Sequence, residues 1–327
     1  MLSSLGFSLL RRLSDGELHS GEALAAASGI SRARVSQVLK EAGAAGLMLE
    51  RQPGRGYRLQ DALPFLARDA IVRALEPQKG ALTIEIADVL DSTSSELTRR
   101  AAHGNIHRHL LAAECQTAGR GRRGRGWTSV IGGSLTFSLG WRFEQGAGYL
   151  SALPLAVGLA LAEALEMEGF AGIELKWPND LLHDGRKLGG ILVELSGDAL
   201  GPSIAVIGIG LNVRLPPLAR REIGQAVADL ASMTPGRTID RNALLARIAM
   251  GLVAMLEAYT AAGFAPLRAA WQRRHALQKK TVQVMLPDGG RVRGEVHGVD
   301  ADGALVLDSG GRRLRFVSGE VSLRRRP

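Results

Sequence analysis

The chain has 327 residues, of which 46% are hydrophobic and only 4% aromatic, with a formal net charge of +9. That length suits two or three domains whose cores must be built mostly from Leu, Ala, Val and Ile. The single cysteine, Cys115, excludes an intramolecular disulfide framework and fits a reducing, cytoplasmic setting. No signal-like apolar segment opens the chain, and no apolar run of roughly 18 residues is free of charge, so no membrane span is expected.

Taken in order, Phe7, Leu9, Leu10 and Leu13 space a short first helix over residues 7–14. Ser20-Gly21-Glu22 starts a second helix, with Glu22 in its first turn and Gly29 at its end. Ser31 caps a third helix. Two short helices joined through a glycine-containing turn, from Gly21 to Lys40, have the form of a helix-turn-helix. Ser31, Arg32, Arg34, Ser36 and Gln37 lie on its polar side, able to reach phosphates and base edges. Strand-like Leu47 to Glu50 and Tyr57 to Leu59 flank Pro53-Gly54-Arg55-Gly56, the pattern of a wing with Arg55 in its basic turn. The helices alone would also suit a bundle for protein contacts; the wing favours DNA. Charge does not decide, because residues 1–65 hold eight Lys/Arg against six acids.

Residues 61–80 read as a linker with a short helix, followed by a strand from Leu82 to Ile86. Asp91-Ser92-Thr93-Ser94-Ser95 then opens a helix, and its hydroxyls can cap that helix or bond a ligand at its positive end. His103, His107 and His109 are interrupted by Gly104 and Asn105 and have no acidic residue nearby, so they read as loop residues and no metal site is expected.

The predicted strands Leu110 to Ala113 and Ser134 to Leu139 bracket Gly119-Arg120-Gly121-Arg122-Arg123-Gly124-Arg125-Gly126-Trp127. Its glycines permit close backbone approach to a ligand, and its four arginines offer planar donors to carboxylate or phosphate. A cationic loop tethered at both ends suits a lid that is mobile until an anionic ligand orders it. By itself the stretch is equally compatible with a disordered RNA-binding segment or a solvated loop.

Residues 151–168 form a long apolar helix. In Ile173 to Asp180, Lys176 and Asp180 fall at a strand end, with Pro178 keeping Trp177 extended. Lys187-Leu188-Gly189-Gly190 leads into the strand Ile191 to Leu195. A further strand, Ile204 to Val213, carries Gly208 and Gly210, where something must approach closely. Lysines at strand ends also serve solubility; two lysines, an aspartate and these glycines around one hairpin favour a polar site. Residues 217–231 and 239–262 read as helices. A basic link, Arg268 to Lys280, precedes four alternating strands over 281–286, 291–297, 304–308 and 314–317. Turns at Pro287-Asp288-Gly289-Gly290, Asp302-Gly303 and Ser309-Gly310-Gly311 separate them. The expected fold is α+β: an N-terminal winged helix-turn-helix (1–64), a central mixed α/β domain (65–275) and a C-terminal SH3-like β-barrel (276–327).

Glu114 to Arg125 resembles the biotin-binding loop of biotin protein ligases. Lys176-Trp177-Pro178-Asn179-Asp180, Arg186-Lys187-Leu188-Gly189-Gly190-Ile191-Leu192-Val193-Glu194 and Gly208-Ile209-Gly210-Leu211-Asn212 resemble that family's further motifs. The resemblance covers nearly the whole chain, and the helix-turn-helix makes it similar to the bifunctional subclass that also represses biotin synthesis. It implies a central domain of the biotin/lipoate ligase type that uses ATP and Mg²⁺. Biotin would be activated as biotinyl-AMP and passed to a lysine of a biotin carboxyl carrier domain, as in acetyl-CoA carboxylase. By this match Lys187, Arg120 and Asp180 are catalytic, Asp180 orienting the incoming amine. Ser92, Thr93, Ser94, Gln116, Gly119, Arg120, Gly121, Arg122, Lys187 and Gly190 hold biotin. Arg122, Arg125, Trp127, Lys176, Asn179, Lys187 and Asn212 hold ATP or the adenylate. Operator DNA and a homodimer formed with adenylate bound are the other implied partners.

The chain departs from that family in three places. Ser94 stands where Asn is frequent, Cys115 where an aromatic is common, and the stretch just after Asn212 holds no tryptophan to cover adenine. Two rivals share some of the features: a lipoate-type ligase, which would lack the fused helix-turn-helix and the arginine loop, and a DNA-binding regulator whose central domain only senses a ligand. RNA binding through the loop is a third.

Overall fold

The computed structural model describes residues 2–44, 47–60, 62–75, 82–198, 200–286, 290–317 and 322–325, and the expected turn at Pro287 to Gly290 lies largely outside them. The N-terminal unit contains α1 (Ser4–Arg12), α2 (Gly21–Ser28) and α3 (Arg32–Ala44), then a hairpin of β1 (Leu49–Gln52) and β2 (Gly56–Leu59). Ser20 Oγ accepts from the Ala23 amide at 3.0 Å, and Ser31 Oγ from that of Arg34 at 3.2 Å, so both later helices start on side-chain caps. Phe7, Leu9, Leu10, Leu13, Val35 and Val38 interlock as this unit's own core. The hairpin is antiparallel, and Tyr57 exchanges two 2.9 Å backbone bonds with His19, tying it to the turn before α2.

The chain then passes through α4 (Arg68–Ala74) into β3 (Thr83–Leu90), α5 (Thr93–Ala101), β4 (His109–Gln116) and β5 (Ser134–Phe143). Next come α6 (Leu153–Met167), β6 (Ile173–Lys176), β7 (Asp180–His183), β8 (Arg186–Gly197) and β9 (Ser203–Asn212). Seven strands form one sheet in the order β3-β4-β5-β9-β8-β7-β6; only β3 and β4 pair in parallel. The helix α9 (Arg241–Ala262) packs against α6, and α5 against strands β4, β5 and β9. By length and composition Ala147–Met167, which ends in α6, and α9 could each cross a bilayer, yet most of each is buried in the fold. Their all-round apolar sequences are spent on the core.

Residues 217–231 do not form the single helix the sequence predicts. They divide into α7 (Pro217–Glu222) and α8 (Leu230–Met233), because Gly224 turns left-handed (φ 67°) and Asp229 caps a fresh start by accepting the Ser232 amide at 2.8 Å. After α10 (Arg268–Arg273) come β10 (Thr281–Met285), β11 (Arg291–Val299), β12 (Leu305–Ser309), β13 (Arg312–Phe316) and β14 (Ser322–Arg325). They form an antiparallel sheet in the order β13-β12-β11-β10-β14. Among the described residues β13 and β14 do not pair, so the expected SH3-like barrel is an open sheet. Its inner residues Val282, Val284, Leu305 and Leu307 join the same core as the central sheet.

One buried cluster ties the N-terminal unit to the central sheet. Glu114, on β4, and Arg241, at the start of α9, are 1% and 2% exposed and paired at 2.9 Å. Glu114 also accepts the Leu66 amide at 2.5 Å, and Arg241 donates to the Pro64 carbonyl at 2.9 Å. Asn242 accepts from the Ala67 amide at 2.8 Å and donates to the Phe65 carbonyl at 3.2 Å. The connecting backbone from Pro64 to Ala67 is thereby gripped residue by residue. Arg11 adds a 2.5 Å ion pair to Asp88.

Candidate functional site

The site opens at the end of the central sheet where β4 runs into the arginine loop. Its innermost part is a chain of hydroxyls and one amide. The Thr93 amide and hydroxyl both donate to Gln116 Oε1, at 2.7 and 3.1 Å. Thr93 Oγ1 and Ser94 Oγ lie 2.7 and 3.0 Å from Ser138 Oγ. Ser92 caps α5, whose positive end therefore faces the same space. Gly208 is required here, because a Cβ on it would overlap Ser94 Oγ. Such a row of small donors and acceptors suits the polar ring of a compact ligand. Ser138 was not among the sequence candidates. Its only signal is a serine in the middle of the apolar strand Leu135 to Leu139, where a buried hydroxyl demands a partner.

Towards the mouth the chemistry becomes ionic. Lys187 Nζ lies 2.8 Å from Asp180 Oδ1, each side chain about one-fifth exposed (22%). The pairing of β7 with β8 brings them together, placing Asp180 opposite Gly190. Trp127 lies over this floor with its ring centre 5.9 Å from Lys187 Nζ. Gly210 permits that contact, since a Cβ there would strike the indole. Arg122 Nη1 donates to Asn179 Oδ1 at 3.3 Å, while Asn179 is itself fixed by a 2.6 Å bond to the Ile191 carbonyl. Burial, with Arg123 beside it, pushes the Arg122 pKa below its ordinary value. A partly desolvated guanidinium of this kind gains most from an incoming anion.

The loop folds back on itself in the structure. The Gly121 amide donates to the Arg125 carbonyl at 2.7 Å and the Trp127 amide to that of Gly119 at 2.8 Å, closing a small hairpin. Arg123 turns left-handed at φ 58° inside it. Ser92, Thr93, Ser94, Gln116, Arg120, Gly121, Arg122, Arg125, Trp127, Lys176, Asn179, Asp180, Lys187 and Gly190 all line one pocket. Gly119 and Asn212 do not; they line an adjoining cavity beyond Trp127 with Ser129, Glu222, Ile223 and Val227. Asn212 is buried, donating to the carbonyls of Lys187 (3.3 Å) and Ala228 (3.0 Å). Among the described residues the buried indole Nε1 of Trp127 and Ser129 Oγ have no hydrogen-bond partner, leaving a donor and a hydroxyl available to a ligand.

Arg120 lines this pocket from its edge. Its guanidinium turns to the rim, 2.6 Å from Glu194 and 3.2 Å from Ser95 Oγ. Glu194, partly buried on β8 beside the pocket, pairs with it there. Cys115 is half-buried against the N-terminal core, and burial pushes its thiol pKa up. His107 accepts the Arg142 amide and meets Trp141 edge-on, and no cluster of three or more metal-binding side chains occurs among the described residues. In the N-terminal unit Ser31, Arg32, Gln37 and Arg55 are exposed, with Arg34 and Ser36 partly so.

Comparison with known proteins gives the same picture over most of the chain. A profile of the biotin/lipoate A/B protein ligase family matches residues 87–212, and one of the biotin protein ligase C-terminal domain matches residues 280–324. The chain is 35% identical over 323 residues to the bifunctional ligase/repressor BirA of Salmonella typhimurium, covering 98% of each. It is 35% identical to the biotin–[acetyl-CoA-carboxylase] ligase of Mycobacterium tuberculosis, covering 78% of this chain and 92% of that one. Among solved structures it is similar to the biotin protein ligase of Aquifex aeolicus in complex with biotin and ATP. There the TM-score is 0.64 and the identity 29%, over 75% of this chain and 99% of that one.

Proposed function

The chain belongs to the biotin protein ligase family, and from that premise we propose that it activates biotin with ATP and transfers it to a lysine of a carrier protein. The observation that carries this reading is the Lys187–Asp180 pair set beneath Trp127, between a pocket lined with small polar groups and a second cavity. In the first step a biotin carboxylate oxygen attacks the α-phosphorus of ATP. The bond from that phosphorus to the bridging oxygen breaks, and pyrophosphate leaves. Two anions must meet, so fixed cations are needed where charge accumulates. An ammonium has three donors, so Lys187 can keep Asp180 while bonding the carboxylate and α-phosphate oxygens. Arg122, aimed by Asn179, serves the same oxygens from above. Lys176 and Arg125 lie at the phosphate end, and Gln116, Thr93, Ser94 and Ser92 hold the ureido ring.

In the second step a neutral lysine amine of the carrier attacks the carbonyl carbon of biotinyl-AMP. AMP leaves, and the amine gives up a proton. Asp180 orients that amine and can take the proton. Trp127 and the loop cover the mixed anhydride and keep water from it. Mg²⁺ would enter with ATP and supply charge neutralisation on its phosphates, the described residues offering Asp180 but no multidentate cage.

The test is direct. Purified protein given biotin, ATP, Mg²⁺ and a carboxyl carrier domain is expected to release pyrophosphate and add a biotinyl group to one carrier lysine by mass spectrometry. A lipoyl but no biotinyl adduct would favour the rival ligase. Intact, folded protein that releases no pyrophosphate would favour a ligand sensor.

A second role is supported by the N-terminal unit. Its helices and hairpin have the order of a winged helix-turn-helix, α3 exposes Arg32 and Gln37, and the similarity to a ligase/repressor includes this unit. It binds operator DNA as a homodimer whose affinity rises with biotin and ATP. Equal affinity for random DNA, with or without them, would remove the repressor role and leave the ligase untouched.

A further inference from the structure

Lys187 sits at a weak point of its own sheet. The β7–β8 register slips between Leu181 and Leu182, next to the residue that pairs with Lys187. Besides its ladder partner Leu182 and a 3.3 Å bond from the Asn212 side-chain amide to its carbonyl, its main chain is held by a loop distant in sequence. The Lys187 amide donates to the Ala226 carbonyl at 3.0 Å, and the Ala228 amide donates to the Lys187 carbonyl at 2.9 Å. These bonds are only as firm as the segment Leu215 to Asp229 that supplies them. That segment is largely irregular around the six-residue α7.

A single ion pair closes it. The Asp229 side chain is 2% exposed and contacts the Arg220 guanidinium. It also accepts the Leu215 amide at 2.7 Å and the Ser232 amide at 2.8 Å. Arg220 in turn donates to the Leu215 carbonyl at 3.1 Å, the Val227 carbonyl at 3.4 Å and Ser232 Oγ at 2.9 Å. One pair therefore joins both ends of the segment to the residue beside Ala226 and Ala228. We propose that Arg220 and Asp229 are positioning residues, which hold the Lys187 main chain so that its ammonium meets the reacting oxygens in the adenylation step. Neither residue touches the pocket, and neither belongs to a local motif. This rests on the ligase reading above. It assigns the effect to the first step, because supplied biotinyl-AMP no longer needs Lys187 to bring carboxylate and phosphate together. Displacing a reacting group by about 1 Å can cost on the order of 100-fold.

The experiment compares the two half-reactions in the full-length protein. Arg220→Gln is expected to slow biotinyl-AMP formation from biotin and ATP at least about tenfold in kcat. Transfer from supplied biotinyl-AMP to the carrier should stay within about twofold. In a Lys187→Ala background the same change should slow adenylation no further, because the group it positions is gone. Equal losses in both half-reactions, or losses that multiply with Lys187→Ala, would overturn the proposal. Should Arg220→Gln fold poorly, Arg220→Lys keeps the charge, loses the bonds to Leu215 and Val227, and should show the same split with a smaller loss. Amide exchange reads the clamp independently of any chemistry. The Lys187 amide should be protected in the wild type and exchange faster in the variants; unchanged protection would overturn the proposal, whereas wild type that protects this amide but forms no biotinyl-AMP would count against the ligase reading.

Discussion

Two arginine–carboxylate pairs flank the end of β4, and they do opposite work. Glu114–Arg241 lies in the interior, with side chains 0% and 3% exposed and further bonds from Leu66, Pro64 and Ser134 around it. Arg120–Glu194 lies on the rim, with side chains 45% and 26% exposed. The first fixes the connecting backbone from Pro64 to Ala67 against the sheet. The second links a glycine-rich loop to β8. Chemistry alone does not distinguish them; burial does. A charge removed from water must keep its partner, whereas a hydrated pair can open at little cost. The molecule thus has one within its frame and the other at the rim of the candidate pocket.

The largest expected effect follows from removing half of the interior pair. Arg241→Met leaves the Glu114 carboxylate buried with only the Leu66 amide, and should lower unfolding free energy by about 3–5 kcal/mol in denaturant titrations. Replacing both partners with apolar residues of similar size should recover most of that loss. A single replacement costing less than about 1 kcal/mol would erase the contrast between the two pairs.

Within the site, Lys187→Ala should reduce adenylate formation by about 100- to 1,000-fold, equivalent to about 3–4 kcal/mol of transition-state stabilisation. It is read as pyrophosphate release under saturating biotin and ATP. Its effect on thermal unfolding should be small by comparison, because the lysine is partly hydrated. A large fall in stability with little loss of rate would place Lys187 with the frame instead.

Burial without a partner gives a third, smaller effect. Among the described residues His275 makes no close hydrogen bond from either ring nitrogen and lies against Trp271, and burial, partly opposed by the neighbouring Gln278 side chain, pushes its pKa from 6.5 to about 4. Its folded pKa lies below its unfolded one, so its contribution to stability is complete above pH 6.5 and is lost as the pH falls towards about 4. The shift corresponds to about 3 kcal/mol across that window. His275→Gln should flatten the acid limb of a plot of stability against pH. A limb unchanged in slope would mean that other groups control it.

Much of the site was legible because its chemistry is contiguous. The arginine loop, Lys176 to Asp180, Arg186 to Gly190 and the glycines of β9 are each short stretches, and the sheet brings residues from all four to one pocket. What the sequence left hidden depends on distant partners. Glu114 and Arg241 are 127 positions apart, and nothing local marks either as half of a pair. Ser138 acquires meaning only when Thr93 and Ser94 arrive from α5. Asp229 breaks the helix predicted over residues 217–231 because its carboxylate is claimed by the next start, a capping choice that competes with periodicity. Likewise strand alternation in the C-terminal sheet revealed four of its strands but not the edge strand β14, nor whether the two edges meet. For Arg120 the sequence supplied the charge and not its direction, since Glu194 is on another strand.

That direction sets the smallest effect and the sharpest use of the comparison. Glu194→Gln removes the rim pair and should change stability by less than about 1 kcal/mol. Its consequence should instead appear in retention of the intermediate, with biotinyl-AMP escaping a few-fold faster in a rapid-dilution assay. Raising salt from about 0.05 to about 0.5 M shortens the screening length from over 10 Å to a few ångströms and weakens an exposed pair. Escape from the wild type should therefore rise with salt, while escape from Glu194→Gln should begin high and change less. If both proteins respond to salt alike, Arg120 acts on the bound ligand, as the resemblance implied, and the contact with Glu194 is incidental. If only the wild type responds, the arginine holds the loop closed from outside the chemistry, and the cations that meet the adenylate are Lys187 and Arg122.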